Sequence, residues 1–227
     1  MTPSLGSLLR AELAAAANPE DALAMQAYMK SSMPYYGVRA AATKAACKRV
    51  FAKRPPATCV EWRSEVLDLW RNANHREERY AAIELLQLRR HRECWSPPMM
   101  PLLEEMIVTG AWWDLVDGLA PFAGELLRSH PKEIRPVMRD WSKDPNLWKR
   151  RVSIICQLSF KGETDLDLLY ANIEPNLADR DFFIRKAIGW ALRQYAWTDP
   201  NEVRRYVRAH ANELSGLSRR EALKNIG

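Results

Sequence analysis

The chain is poor in several things that would have placed it quickly. It has nine glycines in 227 residues, and strict apolar–polar alternation is hard to find, which argues against a strand-rich fold. Its four cysteines, Cys47, Cys59, Cys94 and Cys156, lie far apart with no C-x-x-C pair. Neither a zinc site nor a disulfide framework is expected from that spacing, and buried free thiols are the default. The four histidines, His75, His91, His130 and His210, are scattered, so no metal site and no His-based triad is expected, and no cofactor is implied. No apolar run approaches the ~20 residues of a membrane-spanning helix. Leu13 to Ala17 is only a short alanine-rich patch behind Arg10 and Glu12. No signal-peptide pattern opens the chain. A soluble, cytoplasmic protein is expected.

What is present is apolar periodicity. Hydrophobic residues make up 47% of the chain, enough for a substantial core in a single domain of this length. The 14 prolines fall mostly between periodic segments, where they punctuate helices. The pattern predicts helices over Pro3–Ala16, Pro19–Ser31, Arg39–Arg54, Thr58–Asn72, Glu77–His91 and Pro98–Thr109. It continues with Trp112–Leu119, Pro121–Ser129, Pro131–Ser142, Leu147–Phe160, Asp165–Asn172, Asp181–Ala196, Pro200–Ala211 and Ser218–Ile226. Asn18-Pro19, His130-Pro131 and Asp199-Pro200 each place proline at a first helical position.

Short helices joined by short loops prompt a search for a repeat. Arg150-Arg151-Val152-Ser153-Ile154, Arg185-Lys186-Ala187-Ile188-Gly189 and Arg220-Glu221-Ala222-Leu223-Lys224 recur at intervals of 35 residues. That period predicts an all-α fold, an α-solenoid in which stacked helix pairs share one core. Arg150, Arg151, Arg185, Lys186, Arg219 and Arg220 then line up near successive helix starts. With a net charge of +6, such a row suits a phosphate backbone. It also suits a plain solvated face.

One repeat position is different. Gly110-Ala111-Trp112-Trp113-Asp114-Leu115-Val116-Asp117 carries aromatic and acidic groups where its siblings carry arginine. In a helix Trp113 and Asp117 share a face one turn apart. A flat aromatic surface beside a carboxylate suits a cationic partner. Asp114 points elsewhere and reads as a cap. A lone carboxylate on a basic face is costly unless it meets a cation, so Asp117 is expected to find one in its ligand.

Trp112-Trp113-Asp114-Leu115-Val116-Asp117, Trp148-Lys149-Arg150-Arg151 and Lys186-Ala187-Ile188-Gly189-Trp190-Ala191-Leu192-Arg193 together resemble the AlkD family of DNA alkylation-repair glycosylases. Tyr28-Met29-Lys30, Pro101-Leu102-Leu103-Glu104-Glu105 and Leu217-Ser218-Arg219-Arg220-Glu221-Ala222 extend the resemblance over nearly the whole chain. The resemblance implies HEAT-like repeats with a concave basic face that cradles duplex DNA. It implies hydrolysis of the N-glycosidic bond of cationic N3- and N7-alkylated purines, by a monomer, without base flipping. That departs from the usual extrusion of a base under attack.

Carried over residue by residue, the resemblance implies that Asp117 is the catalytic carboxylate and that Trp113 and Trp190 are the lesion-side aromatics. Arg151 is the backbone-contacting arginine, and Tyr28 approaches the lesion from the N-terminal end. Arg150, Arg185, Lys186 and Arg220 complete the DNA contacts expected from the repeat register. From spacing alone Trp190, among Ile188, Ala191 and Leu192, reads equally as core. No isolated apolar lysine suggests a Schiff base, so no strand-cleaving lyase activity is expected.

One departure stands out. Family members often have Thr-Pro after the aromatic-Gly-aliphatic turn, but here Tyr36-Gly37-Val38 is followed by Arg39-Ala40-Ala41. That removes a capping hydroxyl and a phosphate contact, for which Arg39 is a replacement cation. The chain ends at Gly227, soon after the last expected helix begins, so a short or truncated terminal cap is expected. Two other functions fit a basic helical repeat. A non-catalytic protein recognising distorted duplex is disfavoured by the intact Trp113, Asp117, Arg151, Trp190 set. A protein–protein scaffold is disfavoured by the basic row.

Overall fold

A computed structural model describes residues 3–227. Among them there are helices, 3₁₀ turns and loops but no strand, so the all-α expectation holds. Contacts divide the chain into two compact units, one ending at Trp95 and the other beginning at Ser96. No helix among the described residues is long and apolar enough to cross a membrane.

The first unit holds α1 (Leu5–Ala15), α2 (Pro19–Met29), α3 (Ala40–Lys53), α4 (Cys59–Arg71) and α5 (Arg76–Leu86). Leu5, Leu9 and Leu13 recur every fourth residue on α1, so they form one stripe, and all three are buried. α1 packs on α3 and α4, while α5 packs on α3 and α4. The helix expected to run to His91 stops at Leu86, and a 3₁₀ segment, Arg89–Cys94, follows. It brings Cys94 to Cys59 at a Cα separation of 5.5 Å, and the two form a disulfide. This corrects the expectation of free thiols for that pair. Its cause is the return of the 3₁₀ segment across the start of α4, which spacing alone does not reveal. Cys47 and Cys156 are free and buried, and burial pushes each thiol up to about 12.

The turn at residues 36–38 is held from within. The fully buried Glu77 carboxylate accepts from the backbone N–H groups of Tyr36, Gly37 and Val38 at 3.1, 2.9 and 3.0 Å. Gly37 has φ +82°, and a side chain there would strike the Asn18 carbonyl oxygen. Arg39 follows as the residue before α3 and makes no side-chain cap. Its guanidinium instead pairs with Asp21 of α2, at 2.8 and 3.1 Å.

The second unit carries the 35-residue period into three dimensions. It contains α6 (Met100–Gly110), α7 (Trp113–Ser129), α8 (Pro131–Trp141), α9 (Leu147–Ile155), α10 (Leu166–Ile173), α11 (Phe182–Tyr195), α12 (Pro200–Ala209) and α13 (Gly216–Leu223). The starts of α7, α9, α11 and α13 are 34, 35 and 34 residues apart. These four helices pack each on the next, α7 on α9, α9 on α11 and α11 on α13, and α8 packs on α10 in a second row. We call the first row the inner helices. Side-chain caps open three of them, all but α7. Asn146 accepts from the N–H groups of Trp148 and Lys149, Asp181 from Phe183 and Ile184, and Ser215 from Ser218.

In this unit two expected boundaries change most. Trp112–Leu119 and Pro121–Ser129 are one helix, α7, with Pro121 inside it. An internal proline costs ~3 kcal/mol. Burial of Leu115, Val116, Leu119, Phe122, Leu126 and Leu127 along one face of α7 offsets that. α9 ends at Ile155, short of the expected Phe160.

The close approach of α11 to α13 depends on Gly189. A Cβ there would lie 2.5 Å from the Glu221 Cβ and 2.9 Å from the Ser218 carbonyl oxygen. Gly189→Ala is therefore expected to cost about 1–3 kcal/mol, the usual range for overpacking. Thermal unfolding followed by circular dichroism measures this. An unchanged midpoint would mean that α13 can move aside freely.

Candidate active site

Counted from the first residue of each inner helix, Asp117, Arg151, Lys186 and Arg220 all stand fifth. On the adjacent helices α7 and α9 these like-numbered residues, Asp117 and Arg151, face one another. One acid in a series of bases is thus set against a base by the repeat itself.

Arg151 Nε donates to Asp117 Oδ1 and Nη2 to Asp117 Oδ2, both at 2.7 Å. This is the two-pronged geometry in which a guanidinium fits a carboxylate best. The third nitrogen, Nη1, donates to the carbonyl oxygen of Phe183 at 2.6 Å. One side chain from α9 therefore ties α7 to α11. The Arg151 side chain is 5% exposed and that of Asp117 is 17% exposed. The sequence reading has Asp117 as a lone carboxylate that finds its cation in a ligand. The structure corrects this, because Asp117 already has one in Arg151. The resemblance implies that Arg151 contacts the DNA backbone. In the structure each of its three nitrogens is engaged within the protein.

Burial pushes the Asp117 carboxyl above the ordinary aspartate value of 3.8. The Arg151 guanidinium pulls it back down, and nearby Asp114 raises it further. The upward direction prevails because the carboxylate has lost most of its water. Asp114 itself sits in the first turn of α7, where a carboxylate complements the helix dipole.

An aromatic wall stands beside the pair. Trp112, the residue preceding α7, packs edge-on against Phe183 with centroids 5.4 Å apart, and Trp148 lies 5.1 Å from Phe183. The Trp112 indole N–H is buried without a hydrogen-bond partner. Of the two adjacent tryptophans, Trp112 is thus the one that packs into the aromatic cluster. Trp113 opens α7 one turn before Asp117 and is half-buried. Trp190 is half-buried too, two turns along α11 from Phe183.

Half of the expected row of free cations, Arg150, Arg151 and Lys186, is ion-paired inside the protein. Arg150 pairs with Asp179 at 3.0 Å and also donates to the carbonyl oxygens of Asp144 and Pro145. Lys186 pairs with Glu221 at 2.9 Å, and Arg193 pairs with the same carboxylate. Arg185 makes only a long 3.3 Å bond to its own helix, at the Asp181 carbonyl oxygen. Arg219 and Arg220 are exposed. Tyr28 lies in the first unit, on the last turn of α2, with 77% of its surface exposed. Among the described residues no group of three or more His, Cys, Asp or Glu side chains could hold a metal ion.

Sequence reasoning missed Phe183, Asp179 and Glu221. The carbonyl of Phe183 orients Arg151, and no side-chain pattern reports a backbone acceptor. Glu221 did carry a signal, since it lies one period of 35 after Lys186.

Comparison with known proteins bears on this arrangement. A family model described as DNA alkylation repair enzyme matches residues 9–226. The chain belongs to the DNA alkylation repair enzyme family. A solved structure of a predicted DNA alkylation repair enzyme from Enterococcus faecalis is 31% identical, with a TM-score of 0.83. The match covers 93% of this chain and 97% of that one. No curated protein matches the sequence. For a DNA alkylation repair enzyme, the Asp117–Arg151 pair between two aromatic-bearing helices is the feature with evident chemical capacity.

Proposed function

We propose that this DNA alkylation repair enzyme is a glycosylase. It hydrolyses the N-glycosidic bond of N3- or N7-alkylated purines, such as 3-methyladenine and 7-methylguanine, in duplex DNA, without flipping the base, and acts as a monomer. The observation that carries this reading is the geometry of Asp117. Its carboxylate is clamped by Arg151 and mostly buried, yet not closed off.

A carboxylate offers about four lone-pair sites. The guanidinium takes two of them, one on each oxygen, which leaves one on each for water or for a developing positive charge. A purine alkylated at N7 or N3 is cationic and needs no acid to leave. As the C1′–N bond breaks, its electron pair neutralises the base and positive charge builds on the sugar. Asp117 stabilises that charge and holds the attacking water, whose oxygen bonds to C1′ while the carboxylate accepts the proton. Arg151 is then a positioning residue that fixes the plane of the carboxylate. Trp113 and Trp190 add cation–π attraction to the positive charge as it passes from base to sugar, worth ~0.5–2 kcal/mol each. That is less than a well-placed charge supplies, so Asp117 ranks first. Arg185, Arg219 and Arg220 are the least internally paired cations of the row, and they take phosphates together with Lys186. Tyr28 meets the duplex from the first unit.

The test is release of 7-methylguanine or 3-methyladenine from methylated duplex DNA. No release by the unmodified protein sinks the glycosylase reading, and salt-dependent duplex binding without release would leave a DNA-binding protein instead. The pH profile gives a second check. Activity requires ionised Asp117, so the single-turnover rate, corrected for spontaneous depurination, is expected to fall with an acid midpoint above 3.8. A midpoint at or below that value would mean that the titrating group is not this buried carboxyl.

A further inference from the structure

Lys186 and Arg193 bracket Trp190 on α11, four residues before it and three after, so the three share one stripe of the helix. Both cations reach the same acceptor, the Glu221 carboxylate on α13. Glu221 is not free to swing away. Its Cβ lies against Gly189, and Ser218, one turn earlier on α13, donates its hydroxyl to the Arg185 carbonyl oxygen at 3.0 Å. The three side chains are 17% (Glu221), 24% (Arg193) and 37% (Lys186) exposed, so the cluster meets solvent and is open to an incoming anion. Carboxylate and phosphate oxygens accept from lysine and arginine in the same way. A duplex phosphate approaching Trp190 therefore meets two cations that already hold an anion.

We propose that Glu221 is an internal competitor for DNA phosphate: it occupies Lys186 and Arg193 in the free protein and so sets how weakly the enzyme holds undamaged duplex. A glycosylase must leave normal DNA quickly, and a fixed carboxylate that takes back its cations achieves this without removing them from the surface. Glu221 touches neither substrate nor the attacking water in this account. It acts through Lys186 and Arg193. The inference rests on duplex DNA being the substrate, as proposed above.

Equilibrium binding of an undamaged duplex, measured across a range of salt, tests it. Each phosphate contact adds roughly 0.9 to the slope of log affinity against log salt, which corresponds to roughly fivefold in affinity at 0.15 M. Glu221→Gln frees one or two contacts. It is expected to tighten binding about 5- to 30-fold and to steepen the slope by about 1–2. Restoring the charge with Glu221→Asp is expected to return the slope towards that of the unmodified protein. Glu221→Ser carries the same expectation as the glutamine form and serves if that form does not fold, as judged by circular dichroism. A merely structural glutamate would lower the unfolding midpoint and leave the slope alone. Unchanged or weaker binding with an unchanged slope overturns the proposal. So does an aspartate form that behaves like glutamine. Absence of salt-dependent binding by the unmodified protein is a different result, and it would overturn the reading of duplex DNA as partner.

Discussion

Replacing Asp117 by asparagine is expected to slow alkylpurine release by about 10²–10³-fold, or roughly 3–4 kcal/mol of barrier, the range seen when one well-aimed electrostatic group is removed. The amide keeps the shape and one acceptor oxygen, but it has no charge with which to meet the sugar cation. The effect belongs in the rate at saturating DNA, since the group acts as the bond breaks rather than as the duplex binds. The same change leaves Arg151, 5% exposed, facing a neutral partner, so stability falls as well. Rates must therefore be taken on protein shown to be folded at the assay temperature. Single-turnover kinetics on methylated duplex measure the effect. Release that continues at the unmodified rate would remove Asp117 from the chemistry.

The second large effect is on stability. Arg151→Met is expected to destabilise the protein by about 3–5 kcal/mol, because breaking a buried pair strands the remaining charge. Three internal bonds go at once, two to Asp117 and one to the Phe183 carbonyl. The Asp117 carboxyl loses the guanidinium that pulls it down while burial still pushes it up, so the acid midpoint of any residual activity moves higher. Chemical denaturation of the two single variants and of Asp117→Asn/Arg151→Met closes the cycle. The double variant is expected to recover much of the lost stability, since neither charge is then stranded, and to recover none of the activity. Additive losses would mean that the pair is not a unit. Recovery of activity would place the chemistry elsewhere.

The sequence by itself determined the helical class and the period, and it supplied the candidate site residues. Apolar spacing and Pro punctuation suffice for helices, because a stripe such as Leu5, Leu9 and Leu13 must be buried whatever it packs against. Pro19, Pro131 and Pro200 each do begin a helix. The period of 35 survives as the spacing of the inner helices, since stacked repeats keep one register. Trp113, Asp117, Arg151 and Trp190 stand on three successive helices of that row.

Only the tertiary structure decided what those residues do to one another. In the sequence Asp117 stands as a lone acid and Arg151 as a phosphate contact, yet equal positions on neighbouring helices bring them to 2.7 Å. Likewise Lys186 lies beside Glu221, Arg150 beside Asp179, and Cys59 beside Cys94. Pro121 stays inside α7 because burial of that helix outweighs the local cost. The physical reason is common to all of these. Charge, thiol and helix type can be read one residue at a time. Pairing depends on the distance between atoms some 30 residues apart in sequence, and that distance exists only after the helices have packed.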